Sequence, residues 1–171
     1  GLLDVACRNA SFRLMDLQLF EMRRIYLAAE GSELPDEPLH AAGLLTGARD
    51  QAGWNRGRES VDFYDVKGIV ENIAAALKVA DVSYNAALSE SFYHPGKSCA
   101  VFAGSTRFAT MGELHPAVQE AYGFDQPLYY FEIDLEKLAS LSTGTATVVA
   151  PPRFPDTFRD IAMLIDNELE T

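Results

Sequence analysis

Residues 91–116, SFYHPGKSCAVFAGSTRFATMGELHP, gather many of the side chains in this sequence that could do chemistry. Two His-Pro pairs, His94-Pro95 and His115-Pro116, bracket two apolar runs that also carry Cys99 and Glu113. Imidazole, thiolate and carboxylate are the groups that zinc and related divalent metals bind. A hairpin would bring its two ends together, so His94, Cys99, Glu113 and His115 make a metal-site candidate by residue type. Their spacing matches no recognised ligand motif. The plainer reading is that each His-Pro marks a turn or a helix start.

Gly96-Lys97-Ser98 has the letters that end a phosphate-binding loop. That loop needs a glycine where Ser91 stands and a helix after the serine. The residues that follow, CAVFAG, read instead as a strand, so the triplet is expected to be a turn feeding it. No Gly-x-Ser-x-Gly elbow offers a nucleophile. The acidic pairs Glu33/Asp36 and Asp134/Glu136 read as solvated faces rather than acid/base pairs. The single tryptophan, Trp54, lies in GWNRGRES beside Arg56 and Arg58. Tryptophan and arginine are favoured at interface hot spots, which makes these three residues interface candidates. The competing reading folds the indole back onto its own core.

The elements that would position these groups follow from periodicity. Residues 2–13 read as the end of a helix, with Leu2, Leu3, Ala6 and Cys7 on one face. Residues 16–28 read as a strand, 30–40 as a polar loop, 41–49 as a short buried strand and 50–60 as a second loop. The helix over 62–79 is the clearest element. Val66, Ile69, Val70, Ile73 and Leu77 form its apolar stripe, Asp62 caps its start, Asp65 suits its first turn, and Lys67 can pair with Glu71. A strand over 82–88 precedes the hairpin of SCAVFAG and RFATMGEL. HPAVQEAYG is a short helix with Pro116 in its first turn and Gly123 just past its end. Residues 127–141 run from strand to short helix, 142–155 form a linker, and 156–166 begin a new strand. Strands joined by hairpins with few crossovers predict an α+β fold with an antiparallel sheet and helices packed on it.

Bulk properties narrow the function classes. The chain has 171 residues, enough for one domain with a proper core, and its 48% hydrophobic and 23% charged residues suit a globular protein. No apolar run approaches the roughly 20 residues of a membrane helix, and no signal-peptide pattern opens the sequence. The formal charge of −11 repels phosphate, so this stretch is expected to bind nucleic acid poorly. Cys7 and Cys99 form neither a disulfide framework nor a CxxC zinc pair, and a reducing cytoplasmic setting is expected. A start at Gly1 rather than methionine is expected of a piece of a longer protein.

Six stretches, taken in order, resemble the C-terminal part of the β subunit of bacterial phenylalanyl-tRNA synthetases. They are LQLFEMRRIY (17–26), AAGLLTGARDQAGWNRGRESVDFYDVKGIVENI (41–73), YHPGKSCAVF (93–102), MGELHP (111–116), YYFEIDLEKL (129–138) and PPRFPDTFRDIAMLID (151–166). The resemblance implies a catalytic-like module with class II synthetase architecture over 1–150. It further implies a linker and the first strand of a truncated, ferredoxin-like anticodon-binding domain over 151–171. The module would lack catalytic residues and serve in a heterotetramer of two α and two β subunits. The α subunit would carry the site for ATP, phenylalanine and tRNA. ATP and magnesium would be cofactors of the parent enzyme and not of this stretch, and tRNA(Phe) would be reached only through the complete subunit. The orphan strand at 154–166 should then lack sheet partners. Two rival functions stand beside this one. They are a stand-alone, metal-assisted enzyme using His94, Glu113 and His115, and a regulatory class II synthetase paralogue that binds a small ligand.

Overall fold

The computed structural model describes residues 1–28, 31, 34–50, 53–55, 57–86, 88–144, 157 and 159–162. Helix α1 (Leu2–Ser11) leads into strands β1 (Leu17–Arg24) and β2 (Leu39–Thr46). Helix α2 (Phe63–Ala76), strand β3 (Val82–Asn85) and the hairpin of β4 (Tyr93–Ala103) and β5 (Thr106–Leu114) follow. Helix α3 (Pro116–Ala121), strand β6 (Leu128–Asp134) and helix α4 (Leu135–Ser140) complete the described elements. The strands form one six-stranded antiparallel sheet in the order β1-β2-β6-β5-β4-β3. The last strand among the described residues is therefore central, joining the β1-β2 hairpin to the β3-β4-β5 run. The expected α+β architecture, an antiparallel sheet flanked by helices, is present.

Each face of the sheet builds its own core. Side chains directly opposite in an antiparallel ladder share a face, so the register sorts them. Tyr129, Phe131 and Ile133 of β6 pack with Val66, Val70 and Ala74 of α2 and Leu138 of α4. Leu128 packs on the opposite face with Leu17, Leu44 and Leu114, under Leu2 and Ala6 of α1, with Val118 of α3 at its border. A strand covered on both faces has to be apolar at nearly every position, and Leu128–Asp134 is buried at all but its even-numbered residues from Tyr130 onward. Gly43 stands opposite Phe131 because the ring lies where a side chain would be: a Cβ there would come within 2.2 Å of it.

Helix α2 begins as its sequence requires. The Asp62 carboxylate accepts from the Tyr64 and Asp65 amides, and Asp65 accepts from the Asp62 amide, which closes a capping box. The Lys67–Glu71 pair forms at 2.7 Å. The apolar stripe ends sooner than its periodicity suggests. Leu77 is the C-cap and is 38% exposed, Lys78 turns the chain at φ +58°, and Ala74 takes the last buried position.

Other boundaries also move. Strand β1 stops at Arg24 instead of reaching Ala28, since Ile25 donates to the Pro38 carbonyl and proline has no N–H to return. Strand β3 ends at Asn85, opposite Ala100, close to where β4 swells into a bulge. The linker expected from residue 142 does not begin there. Ser142 pairs with Val79, its hydroxyl donates to the Leu77 carbonyl at 2.6 Å, and Thr143 does the same to Lys78 at 2.7 Å. The expected strand at 156–166 falls mostly outside the described residues; Thr157 and residues 159–162 are in no strand. The boundary near Pro151 also lies outside them.

Candidate functional site

The His-Pro stretch is built as structure. Tyr93 stands opposite Leu114 and Ser98 opposite Gly112, so residues 94–97 bulge against the single residue Glu113. Gly96-Lys97-Ser98 is thus the end of a bulge within one strand rather than a turn ahead of it, and no helix follows. Bulging carries the Lys97 ammonium to 2.7 Å from the Glu113 carboxylate, which is buried. The hydrogen bond to that carboxylate, and then its charge, raise the Lys97 pKa. His94 Nδ1 accepts from the Gly96 amide at 3.1 Å, and His115 Nδ1 accepts from the Ala117 amide at 3.2 Å as the N-cap of α3. A ring nitrogen that accepts a backbone hydrogen bond has no lone pair left for a metal. Cys99 is buried in the α2-side core, and burial pushes its thiol pKa up. Among the described residues, no three His, Cys, Asp or Glu side chains are placed to hold a metal ion.

The polar grouping that the fold does assemble lies elsewhere, on the face that α1 and α3 leave open at one end. His40 of β2 stands opposite Asp134 of β6, and Thr110 of β5 stands opposite Glu132. The His40 ring holds Nδ1 2.7 Å from Glu132 and Nε2 3.8 Å from Asp134. A carboxylate can only accept, so the proton of that short contact sits on Nδ1. The Tyr130 hydroxyl donates to the other oxygen of Glu132 at 3.2 Å. Asp134 also caps α4 by accepting from the Lys137 amide, while the Lys137 ammonium lies 2.9 Å away. Burial alone would raise the Asp134 pKa, but the hydrogen bonds and charge of Lys137 bring it below the ordinary carboxylate value. Arg107 pairs with Glu90 on the same rim. Beneath it Tyr93 bonds to Thr110 at 3.1 Å, and burial raises the Tyr93 pKa. Asp134 is therefore a half-buried cap and ion-pair partner, not part of a solvated face. Glu136 does lie exposed, where it pairs with Arg24 at 3.1 Å. Glu33 lies outside the described residues.

This arrangement is electrostatically complete. Glu132, Asp134 and Glu90 each already have a cationic or imidazole partner within the fold. His40, Glu90 and Arg107 do not stand out in the sequence. Alternation along each strand suggests which residues share a face, but only the β2-β6-β5 register puts His40 beside Glu132 and Asp134.

The three interface candidates separate. The Trp54 indole is 99% exposed, so it does not fold onto the core. The Arg58 guanidinium reaches back 2.6 Å to Asp16, tying its loop to the segment before β1. Arg56 lies outside the described residues. A third arginine anchors the same region: Arg49 contacts Asp65 at 2.7 Å, Glu59 at 2.8 Å and Asp62 at 3.3 Å, and these carboxylates raise its pKa.

The family model described as phenylalanyl tRNA synthetase beta chain CLM domain matches residues 1–135. The phenylalanine–tRNA ligase beta subunit of Geobacter sulfurreducens is 52% identical over 168 residues, which are 98% of this chain and 21% of that protein. Its counterpart from Geobacter metallireducens is 50% identical over the same shares. That of Syntrophotalea carbinolica is 40% identical over 169 residues, 99% of this chain and 21% of its own length. The chain thus spans about a fifth of the length of the relatives it matches.

Proposed function

The chain belongs to the phenylalanyl-tRNA synthetase beta chain CLM domain family, and on that premise we propose that it is a structural, non-catalytic part of a phenylalanine–tRNA ligase β subunit. In this reading an α subunit carries the site that attaches phenylalanine to tRNA(Phe) with ATP, and magnesium serves that site. The sheet and its helices are read as a catalytic-like module of class II synthetase architecture over residues 1–150. Residues 151–171 are read as the lead into a ferredoxin-like anticodon-binding domain. The complete subunit would work in the cytoplasm as one of the two β subunits of an α2β2 heterotetramer and meet tRNA through parts outside this stretch.

The observation that carries the non-catalytic reading is the self-paired depression around His40. A phosphate-bearing substrate settling there would have to draw Arg107 from Glu90, or His40 and Lys137 from Glu132 and Asp134. Each exchange strands a partly buried carboxylate, at a cost of about 1–3 kcal/mol. A catalytic site keeps such donors free for its substrate. The enzyme using His94, Glu113 and His115 is disfavoured by the backbone and Lys97 partners that occupy all three.

Assembly is then the remaining role, and it needs exposed anchors. Trp54 is the foremost of them, with Arg58 at its rim. Mixing the chain with a folded α subunit should give a complex at micromolar concentration on a sizing column, burying more than roughly 1,200 Å² in total. Trp54→Ala should weaken it about tenfold or more. No complex at that concentration would refute an assembly role for this stretch on its own.

A further inference from the structure

His94 and His115 hold the backbone in the same way. Each is followed by a proline, and each turns Nδ1 onto the amide two residues ahead, Gly96 at 3.1 Å and Ala117 at 3.2 Å. Proline has no N–H, so this is the first following amide that either ring can meet. An amide can only donate, so Nδ1 carries the lone pair and the ring's proton sits on Nε2. Both turns therefore exist only while the imidazole is neutral. Imidazole takes up its second proton in mildly acidic water, about pH 6.5 and below, and here that proton goes to Nδ1. The acceptor becomes a donor, and one N–H then faces another.

The charges nearby do not compensate. Glu113 of β5, which faces the bulge, is buried and belongs to Lys97 at 2.7 Å, with Tyr129 as a second hydrogen-bond partner. Lys97 is itself the charged neighbour of His94 on β4, so a cationic ring adds repulsion there. Helix α3 brings a single charged residue, Glu120, five positions past His115. Helix α1, which meets the far end of α3, carries Asp4 and Arg8. The remaining histidine, His40, is the opposite case: with Glu132 at 2.7 Å and Asp134 at 3.8 Å, a second proton strengthens its contacts.

The two turns lead to one place. They are joined through the backbone, because the His115 amide donates to the Phe92 carbonyl at 2.8 Å, two residues before His94. His115 caps α3, a helix of six residues, which is too short to persist without its cap and its packing. The far end of α3 is held to α1 by the Cys7 thiol, which donates to the Tyr122 carbonyl at 3.2 Å. Between the helices lies a cavity of about 310 Å³ walled by Leu2, Leu3, Phe92, Leu114, Val118 and Tyr122. We propose that the paired His-Pro turns are an acid-released latch. Neutral rings fasten the bulge against β5 and α3 against α1; protonation of both frees α3 and opens the cavity beneath it.

The latch is read first in the chain itself. In amide NMR spectra recorded from about pH 7.5 to about pH 5, the Gly96 and Ala117 signals should follow the same curves as the ring protons of His94 and His115. His94→Asn and His115→Asn each put a carbonyl oxygen where Nδ1 stands, and that oxygen accepts throughout this range. In each variant the matching amide should no longer respond to pH, with circular dichroism unchanged. Cys7 reports the opening, through its rate of reaction with a maleimide. That rate should be equal in the parent chain and His115→Asn at about pH 7.5, and about threefold or more higher in the parent at about pH 5.5, the effect of one lost hydrogen bond. Comparing the two chains at one pH cancels the change in thiolate fraction. Gly96 and Ala117 signals that ignore the ring titrations would overturn the proposal, and so would equal Cys7 rates at both pH values. If His115→Asn does not fold, the parent's amide shifts decide, together with its Cys7 rate relative to an unstructured cysteine peptide at each pH.

Discussion

His40 is a ring held between two acids, and its removal has a calculable consequence. His40→Ala would leave Glu132 without its 2.7 Å partner and Asp134 with Lys137 alone. Both carboxylates are only partly hydrated, so chemical denaturation at neutral pH should show a loss of about 1–3 kcal/mol. Asp134 supplies a pH signature at the same place. Its pKa in the folded chain is held below the ordinary value of 3.8, despite burial, by the amide and ammonium of Lys137. A depressed acid stabilises the fold while it is ionised in both states. That contribution is fully present above pH 3.8 and is lost as pH falls through the lower folded value. Asp134→Asn should therefore cost stability at pH 7, and its difference from the parent chain should shrink as pH falls below 3.8. A difference that stays constant with pH would show that Asp134 acts only as a neutral cap. Cys99 offers a third test. Buried, with its thiol pKa raised, it should react with a thiol reagent only after denaturant is added, whereas the half-buried Cys7 reacts first.

Elements of this chain depend on a few positions where space, rather than propensity, decides. Gly112 lies opposite the β4 bulge, and a Cβ there would sit 2.5 Å from the Ser98 Cβ and 2.6 Å from the Lys97 carbonyl oxygen. Neither neighbour is a flexible side-chain end, so Gly112→Ala should cost about 1–3 kcal/mol in thermal or chemical unfolding. It should also loosen the bulge that carries Lys97 to Glu113. Gly68 gives the opposite expectation. It lies inside α2, and a Cβ added there would meet nothing within 4 Å, so Gly68→Ala should stabilise the helix by about 0.5–1 kcal/mol. Loss of stability in that variant would point to an unseen close approach. The beginning of α2 is legible in the sequence because the signal is local. Asp62, Asp65 and the Val66/Val70 stripe lie within one helix, and capping needs no distant partner. Its end is less legible, because the Ser142 and Thr143 hydroxyls that hold the turn at Lys78 come from 65 residues away.

Across the whole molecule, charge and pairing bear on nucleotide binding. The chain carries a formal charge of −11. The carboxylates on and beside β6 hold their own partners: Glu132 with His40, Asp134 with Lys137, and Glu136 with Arg24. Of the two adjacent arginines in β1, Arg23 stands opposite His40 and Arg24 opposite Leu39, so they address different faces. At most one of them can reach any single site. Calorimetry of the chain with ATP, magnesium and phenylalanine should give no saturable heat. A dissociation constant below about a millimolar would overturn the non-catalytic reading, since such affinity corresponds to roughly −4 kcal/mol that the paired depression gives no means to supply. What the sequence determined by itself was local or additive: the α+β class, the hairpin at Gly104, the capped helix, and a His-Pro stretch that serves as punctuation. Two-residue alternation, capping chemistry and composition act over a few residues and need no knowledge of the rest of the chain. Tertiary structure alone decided that β6 lies between β2 and β5, that His40 therefore meets Glu132 and Asp134 across 92 and 94 residues, and that Phe20, Met22 and Trp54 remain outside. Those outcomes depend on which strands pair and in what register, and pairing is set by how two apolar faces are covered at once, a choice that no short segment can make.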